Sequence, residues 1–522
     1  MNFSNTNSYE IKKIILSMKP KNSHGYDEIS LKIMKSSAPY ILSPLTYLCN
    51  KILLTGIFPD RLKFSEVKPL YKKGDKTEIS NYRPISLLPT FSKIIEKIIY
   101  RRIYSHLNRN NILAKEQFGF RKESSTEMAT YNLLDNILTS LDKKEYVGGL
   151  FCDLQKAFDC VNHNVLLEKL KFYGISGSAI KLMKSYLENR YQRTIINDNN
   201  LNKVSSKWMM VKHGVPQGSV LGPLLFLIYI NDFPSSLRKL AQPVLFADDT
   251  SIIVSNLNPE KFRSNVTLIF NEAMIWFKKN FLTLNCDKTQ FLQFFLKKHR
   301  EIEIQSTITN TLITNINCSK FLGINIDSSL SWKNHLTLLS VRLSKACFAI
   351  RAIKPFMSLD TIKTIYHSYV HSILKYGIIF WGNAPFSKNI FKIQKRIIRI
   401  MSGSGKYDSC RELFKKLQIL PLQSEYIFSL LLFVIKNKNY FKFNTEIHNI
   451  NTRYNYNLHL PFTNLSIAQK GVLFSGSKLY NKLPLNIKSS SGEIKKFKFL
   501  LRRYLTEHAF YSIDEFYQTT SR

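Results

Sequence analysis

Hydrophobic positions follow two different periods along this chain. Apolar residues recur every three to four positions over residues 11–18 and 92–107, so both segments are predicted to be amphipathic helices. Residues 146–152, Tyr-Val-Gly-Gly-Leu-Phe-Cys, form a short apolar run that is partly β-branched and aromatic, and predict a buried strand. Apolar runs on both sides of the pair Asp248–Asp249 predict a β-hairpin with this pair at its turn. The middle of the chain therefore holds a sheet with helices around it.

After about residue 330 the pattern becomes almost wholly helical. Seven apolar residues between Ile362 and Leu374 fall at helical spacing, and Ser358 and Asp360 are candidates for the residue that caps the start of this helix. We expect its apolar stripe to lie in the core. Residues 444–457 are polar and rich in asparagine, and are expected to form a loop before a final small lobe.

Composition adds size and charge to this pattern. A chain of 522 residues exceeds what one ordinary core organises, so two to four lobes are expected. Lys and Arg number 75 against 37 Asp and Glu, a formal net charge of +38. Because 44% of the residues are hydrophobic and 13% aromatic, the chain is not a disordered basic tail. The surplus charge indicates a polyanionic partner, either nucleic acid or an anionic membrane surface.

Membrane and targeting signals are weak. The longest apolar runs, residues 220–230 and 427–435, fall short of the roughly 20 residues of a spanning helix, and the amino terminus lacks the apolar segment of a secretory signal. Seven cysteines are scattered without a CxxC pair, which favours free thiols in a reducing compartment over disulfides or a zinc module. Nucleic acid is therefore the preferred polyanion.

Three acids occupy predicted strand ends. Asp153 follows the strand at residues 146–152, and Asp248 and Asp249 lie at the hairpin turn. One reading is structural, because Asp is a common turn residue. In the other reading a hard cation such as Mg²⁺ removes the repulsion between adjacent carboxylates, and Asp153 helps the pair hold two ions about 4 Å apart for phosphoryl transfer. The acids alone leave both readings open.

A glycine- and proline-rich segment lies between these strands. Residues 213–223, His-Gly-Val-Pro-Gln-Gly-Ser-Val-Leu-Gly-Pro, fix a specific backbone and allow another group to approach it closely. Its position between the acid-bearing strands makes the segment a candidate wall for a planar substrate.

Three sequence blocks stand in the order and spacing found in reverse transcriptases. They are Phe151-Cys-Asp-Leu-Gln-Lys-Ala-Phe-Asp159, Gly214-Val-Pro-Gln-Gly-Ser-Val-Leu-Gly-Pro223 and Phe246-Ala-Asp-Asp-Thr250. Supporting blocks occupy residues 67–75, 81–89, 117–121, 285–289 and 321–324. The chain resembles the reverse transcriptases of non-LTR (LINE-type) retrotransposons of the jockey-like branch, closely over residues 19–330 and more loosely beyond.

The resemblance implies an α+β fold of the right-hand polymerase type, with fingers, a palm sheet that carries the acids, and a helical thumb. On this basis we expect four regions. They are an N-terminal helical extension and fingers base at 1–64, a reverse transcriptase domain with fingers and palm at 65–325, a helical thumb-like region at 326–440, and a C-terminal region of unknown role at 441–522.

The resemblance also implies a metal site. Asp153, Asp248 and Asp249 would bind two Mg²⁺ ions, or Mn²⁺ in their place, with the backbone carbonyl of Leu154 as a further ligand. One ion would lower the pKa of the primer 3′-hydroxyl, and the other would neutralise the triphosphate and the leaving pyrophosphate. Asp248 would be the direct ligand of the adjacent pair, and Asp249 would act chiefly through its charge.

Four further residues would contact the incoming nucleotide. Phe158 occupies the position where the family places an aromatic gate against the ribose 2′-hydroxyl, although the ring is equally compatible with a role in the core. Gln217 would lie near the templating base. Lys73 and Arg83 would hold the triphosphate; guanidinium matches phosphate bidentately, which favours Arg83, whereas Lys72 competes with Lys73 for the same role.

A basic surface in the thumb region has two readings. Lys392, Lys395, Arg396 and Arg399 lie on one face of a predicted helix, and a solvated face is the ordinary interpretation. The polymerase blocks favour a grip on the phosphate backbone of template and primer. The resemblance implies an RNA template, a DNA primer and deoxynucleoside triphosphates as partners, and no membrane. It also implies an intracellular location, with the nucleus preferred and the cytoplasm as the alternative.

Departures from the family pattern motivate alternatives to an active RNA-directed DNA polymerase. Elements of this type usually carry an endonuclease domain before the polymerase and often a zinc knuckle; this sequence has neither, so a separate endonuclease is expected to be needed for transposition. One alternative is a catalytically idle, nucleic-acid-binding relic of a truncated element. Another, a group II intron maturase-type protein, is disfavoured by the Ala-Asp-Asp-Thr block and by the lack of a recognisable maturase or zinc-nuclease tail.

Overall fold

The computed structural model describes residues 1, 3–197, 202–237, 239–295, 314–447 and 457–520. The N-terminal part combines long helices with two paired strands. In chain order these elements are α1 (Ser8–Ser17), α2 (Leu31–Thr55), β1 (Phe64–Tyr71), β2 (Tyr82–Leu87), α3 (Thr90–Arg109) and α4 (Thr126–Asp142). The predicted helices at residues 11–18 and 92–107 are confirmed as α1 and α3.

The central part contains the remaining strands. Its elements are β3 (Tyr146–Cys152), β4 (Leu154–Gln155), α5 (His163–Phe172), α6 (Gly177–Leu187), β5 (Arg190–Asn197), β6 (Lys203–Ser205), β7 (Met209–Val211), α7 (Gly222–Ile230), α8 (Phe233–Ser236), β8 (Ala241–Phe246), β9 (Asp249–Asn256), α9 (Pro259–Lys279), β10 (Thr283–Leu284), β11 (Gln290–Phe294), β12 (Thr314–Asn315), β13 (Cys318–Phe321) and β14 (Ile324–Asp327).

The C-terminal part is helical in the described residues apart from one isolated bridge, as the sequence predicts. Its helices are α10 (Lys333–Ile353), α11 (Leu359–Ile365), α12 (Ser372–Lys375), α13 (Ile378–Trp381), α14 (Ser387–Ser402), α15 (Arg411–Leu417), α16 (Leu422–Lys436), α17 (Asn444–Ile447), α18 (Ser466–Gln469), α19 (Val472–Asn481), α20 (Leu485–Lys488), α21 (Ile494–His508) and α22 (Ile513–Thr520). The expected loop at 444–457 begins as helix α17, and residues 448–456 lie outside the described residues.

The amphipathic helix predicted around residues 362–374 is present, with a change of winding inside it. A π-helical segment, Tyr366–His371, joins α11 to α12. Ile362, Tyr366, Val370 and Leu374 are buried at intervals of four residues, which a wider helical turn keeps on one face. The Ser358 hydroxyl accepts a hydrogen bond from the Thr361 amide, so Ser358 rather than Asp360 is the cap.

The described strands form two five-stranded sheets and two small two-stranded sheets, β10-β4 and β13-β14. The fingers sheet has the order β2-β1-β5-β6, with β7 also paired to β5, and the palm sheet has the order β12-β11-β3-β9-β8. Strands β3, β8, β9 and β11 of the palm sheet pair antiparallel, and Cys152 lies opposite Thr250 in the β3–β9 register. This mixture of helices and antiparallel strands is the expected α+β class.

The palm sheet separates two hydrophobic cores. Phe151 and Ile253 belong to one core, and their neighbours Leu150 and Ile252 belong to the other. This alternation follows from the two-residue period of a strand, which sends successive side chains to opposite faces. The helices α1, α2 and α3 fill the second core together with α7. The N-terminal helices are therefore continuous with the palm.

The first core joins the thumb region to the rest of the C-terminal part. Helix α16 is buried from Leu422 to Ile435, and Phe497, Leu501 and Phe516 of α21 and α22 belong to the same core. The described helices after residue 457 therefore share the core of the helices that precede them.

Two predictions concern cysteines and membranes. All seven cysteines are free thiols, as predicted. Within the described ranges no single helix is long and apolar enough to cross a bilayer, while the bent pair α15 and α16, which meet at 52°, passes this length and composition test only when joined.

Candidate active site

The three acids meet at one end of the palm sheet. Asp153 directly follows β3, and Asp249 is the first residue of β9. Because Cys152 pairs with Thr250, the next residues along the two strands, Asp153 and Asp249, come side by side. The two-residue turn consists of Ala247 and Asp248, with Ala247 at a left-handed φ of 58°. The prediction that Asp248 and Asp249 form the turn is wrong by one residue, because Phe246 pairs with Asp249.

Electrostatic interactions among the three carboxylates shift the pKa values of Asp248 and Asp249. Burial, together with the charge of Asp153, raises the pKa of Asp248 against the opposing charges of Arg83 and Lys72. Burial and then the charges of Asp248 and Asp153 raise the pKa of Asp249 to about 6. The side chain of Asp249 is nevertheless open to solvent on one side. The acids thus form a concentration of negative charge that favours a cation or a proton.

Cations from the fingers sheet lie near these acids. Arg83 is on β2, opposite Leu70 of β1, and its charge reaches Asp248. Lys72 follows β1, and its charge reaches both Asp248 and Asp249. Lys73 is exposed, and no effect of its charge on either acid is resolved. Of this pair, Lys72 rather than the predicted Lys73 is the lysine whose charge affects the two acids, and the role of Lys73 in holding the triphosphate stays a prediction.

The block at residues 285–289 holds Asp153 in place. The Asn285 amide donates a 2.8 Å hydrogen bond to the Asp153 carbonyl, and the Asp153 amide donates to the Thr289 hydroxyl at 3.4 Å. Lys288 Nζ lies 3.9 Å from Asp153 Oδ2. The sequence identified this block as part of the family pattern without assigning Lys288 a role. Its distance from Asp153 in sequence gives no sign of the contact.

Phe158 belongs both to the site and to the packing beneath it. Its ring stacks on the buried Phe226 of α7, with centroids 4.6 Å apart, and meets the edge of Phe120 at 6.3 Å. The side chain remains only half-buried. The two readings of Phe158 are therefore compatible, because one face packs while the rest of the ring stays accessible.

The glycine-rich segment is fastened to the chain that follows Asp153. The Gly214 amide donates to the Val161 carbonyl at 2.8 Å, and the Val215 amide donates to the Phe158 carbonyl at 2.9 Å. A Cβ atom on Gly214, which has a φ of 85°, would lie 2.8 Å from the Asp159 carbonyl oxygen. Only glycine permits this close approach. The segment therefore packs against the chain that carries Phe158, and its role as a wall for a planar substrate stays a prediction.

Hydrogen bonds hold both the side chain and the backbone of Gln217. Its side-chain Nε2 donates a 3.0 Å hydrogen bond to Asp159 Oδ1, and its backbone carbonyl accepts from the Ser86 amide of β2 at 2.8 Å. These contacts join the palm, the glycine-rich segment and the fingers sheet. Asp159 was part of a predicted block, but its role in holding Gln217 appears only in the folded chain.

Glu96 supports the end of this segment from within the core. It is fully buried on α3 and accepts hydrogen bonds from the Val220 amide at 2.6 Å, the Leu221 amide at 3.2 Å and the Ser92 hydroxyl at 3.0 Å. Burial raises its pKa, while the nearby charge of Arg190 opposes the shift. No sequence pattern marked Glu96, because a lone acid on an amphipathic helix resembles a surface residue.

The donor set fits magnesium if the substrate completes it. No three His, Cys, Asp or Glu side chains in the described part of the chain are grouped so that they alone would hold a metal. Mg²⁺ usually takes one or two carboxylates together with substrate phosphates and water. The mutually repelling Asp153, Asp248 and Asp249 supply such oxygen ligands, and Leu154, in the short strand β4 directly after Asp153, would add its carbonyl.

The predicted basic thumb face lies on α14, but its four members differ. Lys392 and Arg396 are exposed. Lys395 lies over the rings of Phe391 at 4.9 Å and Tyr511 at 5.7 Å, and Arg399 Nε donates to the Asp408 carbonyl at 2.8 Å. Half of the face therefore takes part in contacts within the protein.

Comparison with known proteins identifies relatives over most of this chain. The family model described as reverse transcriptase (RNA-dependent DNA polymerase) matches residues 71–326. A probable RNA-directed DNA polymerase from transposon X-element of Drosophila melanogaster is 30% identical over 76% of this chain and 44% of that protein. One from transposon BS of the same species is 29% identical over 80% and 47%. The RNA-directed DNA polymerase from mobile element jockey of Drosophila funebris is 29% identical over 77% and 44%.

The likeness to solved structures is looser. Telomerase from Candida albicans aligns with a TM-score of 0.39 and 14% identity, over 73% of this chain and 71% of that chain.

The family match and the three transposon relatives agree with the resemblance that the sequence blocks indicate. The chain spans less than half the length of the three transposon relatives. The matched residues 71–326 include every strand of the palm sheet. Residues 71–326 belong to the reverse transcriptase family, whose right-hand polymerase fold agrees with the mixture of helices and antiparallel strands described above, and the chain has relatives among the jockey-type non-LTR retrotransposons.

Proposed function

We propose that this chain is an RNA-directed DNA polymerase that extends a DNA primer by copying an RNA template. The observation that carries the proposal is the meeting of Asp153, Asp248 and Asp249 at one end of the palm sheet, with the charges of Arg83 and Lys72 reaching the same acids. Negative ligands for cations and positive ligands for phosphate are the two parts that nucleotidyl transfer requires.

Two Mg²⁺ ions, or Mn²⁺ in their place, would be held by Asp153 and Asp248 with the Leu154 carbonyl, while Asp249 adds charge. When bound, such ions supply Lewis-acid activation of the primer hydroxyl and neutralise the triphosphate. Burial is the largest cause of the raised pKa of Asp249, and the further contributions from the charges of Asp248 and Asp153 support this proposal, because a bound cation would offset their repulsion.

The chain's own residues would orient the nucleotide. Arg83 and Lys72 bind the triphosphate, and the exposed part of the Phe158 ring contacts the sugar, where bulk excludes a 2′-hydroxyl. Gln217, fixed by Asp159 and Ser86, presents its amide beside the templating base. Holding the reactants in one geometry lowers the entropic part of the barrier.

A primer-extension assay tests the proposal. The full chain is given a primed RNA template, deoxynucleoside triphosphates and Mg²⁺, and is compared with the Asp248→Asn variant. Asp360→Asn is the matched control, because Asp360 is an exposed acid on α11. We expect extension by wild type and the control, and a loss of at least about a thousandfold for Asp248→Asn.

Salt-sensitive binding to template and primer without any extension by wild type would instead identify a catalytically idle, nucleic-acid-binding relic. Equal extension by wild type and Asp248→Asn would refute the proposed role of the acids.

A further inference from the structure

A cavity of about 240 Å³ lies where the palm meets the thumb region. Its walls come from α4, from the loop that precedes α10, from α13 and its junction with α14, and from α18. None of the three acids and none of the nucleotide-contacting residues lines it. Phe386, one of its lining residues, is 39% exposed. The cavity is therefore separate from the polymerase site.

Aromatic rings form much of this wall. The rings belong to Tyr131, Trp332, Phe380 and Phe386. Tyr131 packs against two further rings behind it, Phe433 at 5.2 Å and Tyr440 at 5.0 Å, and Phe380 is buried. These contacts hold both side chains in the wall. Aromatic faces carry negative potential and attract cations, most strongly organic cations that shed their water easily.

One carboxylate, Asp135, lines the same cavity. Asp135 is on α4, one turn after Tyr131, and makes no hydrogen bond or ion pair with any described residue. Burial raises the pKa of Asp135 to about 6, and no positive charge opposes the shift. The neighbouring Lys470 is exposed and its charge does not offset this burial. A half-buried carboxylate without a partner favours a ligand that brings a positive charge.

The loop that carries Trp332 is held in an unusual conformation. Leu330 and Trp332 have positive φ angles of 53° and 64°, which bulky residues rarely adopt. The carboxylate of Asp327 accepts hydrogen bonds from the amides of Ser331 and Trp332, each at 2.9 Å. Backbone strain of this kind concentrates at ligand clamps and functional sites. Asp327 thus fixes the backbone that places Trp332 against the cavity.

We propose that this cavity binds an alkylated ammonium group, with Tyr131, Trp332, Phe380 and Phe386 around the alkyl substituents and Asp135 balancing the charge. Aromatic cages recognise quaternary ammonium ligands in this way. A metal ion fits less well, because Asp135 is the one carboxylate of the lining and no three His, Cys, Asp or Glu in the described part of the chain are grouped to hold a metal. A neutral apolar ligand would leave Asp135 unpaired.

Choline and its uncharged isostere 3,3-dimethylbutan-1-ol provide the test, because they differ in shape very little and in charge by one. Binding to the full chain is measured by calorimetry and by tryptophan fluorescence. We expect choline to bind at least about tenfold more tightly than the alcohol. Asp135→Asn should weaken choline binding about tenfold and leave the alcohol unchanged, and Trp332→Leu should weaken choline binding and reduce the fluorescence response.

Three results would overturn the proposal: no choline binding to folded wild-type protein up to about 10 mM, equal binding of choline and the alcohol, or choline binding that is insensitive to Asp135→Asn. If Asp135→Asn does not fold, the comparison of the two ligands on wild type decides. A peptide with one trimethyllysine, assayed beside choline, distinguishes a side-chain ligand from a free small molecule. Primer extension is not a readout here, so failure of this proposal is separable from failure of the polymerase assignment.

Discussion

The side-chain amide of Gln217 donates a 3.0 Å hydrogen bond to Oδ1 of Asp159. The two residues belong to different sequence blocks and meet because the glycine-rich segment folds back onto the chain after Asp153. Burial raises the pKa of Asp159, and the hydrogen bond from Gln217 opposes that shift by favouring the carboxylate. The contact therefore sets the direction of the Gln217 amide while Ser86 fixes its backbone.

Removing this acceptor should loosen nucleotide positioning. We expect Asp159→Ala to raise the KM for deoxynucleotides about tenfold, since one charge-assisted hydrogen bond contributes roughly 1.5 kcal/mol or more. Asp159→Asn keeps an oxygen acceptor and should rescue most of the loss. Steady-state primer extension at varied nucleotide concentration measures the effect. A fall in kcat alone, with unchanged KM in both variants, would contradict a positioning role.

Phe158 should affect both sugar selection and stability. Because the ring stacks on Phe226, we expect Phe158→Ala to lower the free energy of unfolding by about 2–4 kcal/mol and to admit ribonucleotides in the folded fraction. Phe226→Leu is the matched control, since it disturbs the same packing but leaves the Phe158 ring. Urea unfolding and competition between deoxy- and ribonucleotides separate the effects. Unchanged discrimination in folded Phe158→Ala would assign the ring to the core alone.

Charge at Asp249 should destabilise the metal-free protein. Its folded pKa is raised from 3.8 to about 6, so the penalty is present above about pH 6 and fades as the pH falls through this window. Because the side chain is partly open to solvent, we expect Asp249→Asn to stabilise the metal-free protein by at most about 1 kcal/mol near neutral pH, and not near pH 4. Urea unfolding in a chelator measures this. If Asp249→Asn differed from wild type in free energy of unfolding by the same amount at both pH values, the raised pKa of Asp249 would be contradicted.

The exposed residues of the basic face on α14, Lys392 and Arg396, should contact the phosphates of template and primer. Replacing Lys392 and Arg396 with Gln should flatten the slope of log affinity against log salt by roughly two units, because each phosphate contact contributes about one. Lys395→Gln with Arg399→Gln is the comparison pair, and should change the slope less, since both side chains have partners within the protein. Salt titrations of primed-template binding, followed by fluorescence anisotropy, measure the slopes. Parallel curves for wild type and for the double variant Lys392→Gln, Arg396→Gln would contradict phosphate contact by these residues.

Glu96 should be required for stability. We expect Glu96→Ala to lower the free energy of unfolding by about 3 kcal/mol or more, because the Val220 and Leu221 amides lose their buried acceptor and Arg190 loses the nearest negative charge. Glu96→Gln retains one oxygen and should cost less. Urea denaturation of wild type, Glu96→Gln and Glu96→Ala measures their free energies of unfolding, which should fall in that order. A cost below about 1 kcal/mol for Glu96→Ala would show that water replaces the carboxylate.

Local sequence pattern was sufficient to predict several of the helices and strands. The helical period at residues 11–18 and 92–107 and the apolar run at 146–152 predicted α1, α3 and β3, because the burial of one face imposes its period directly on the sequence. The order of the blocks likewise identified the family, and the acids at the strand ends were found before any contact was known. These features depend on neighbours along the chain.

Contacts between distant segments were decided only by folding. The Asp153–Lys288 approach, the choice of Lys72 over Lys73, and the covering of Lys395 by Tyr511 each join or distinguish residues whose sequence neighbourhoods look alike. A basic residue carries the same local pattern whether it faces solvent or a ring from a segment more than 100 positions away. Which of these occurs depends on how the helices after residue 457 pack into the thumb core, and hydrophobic period alone does not encode that packing.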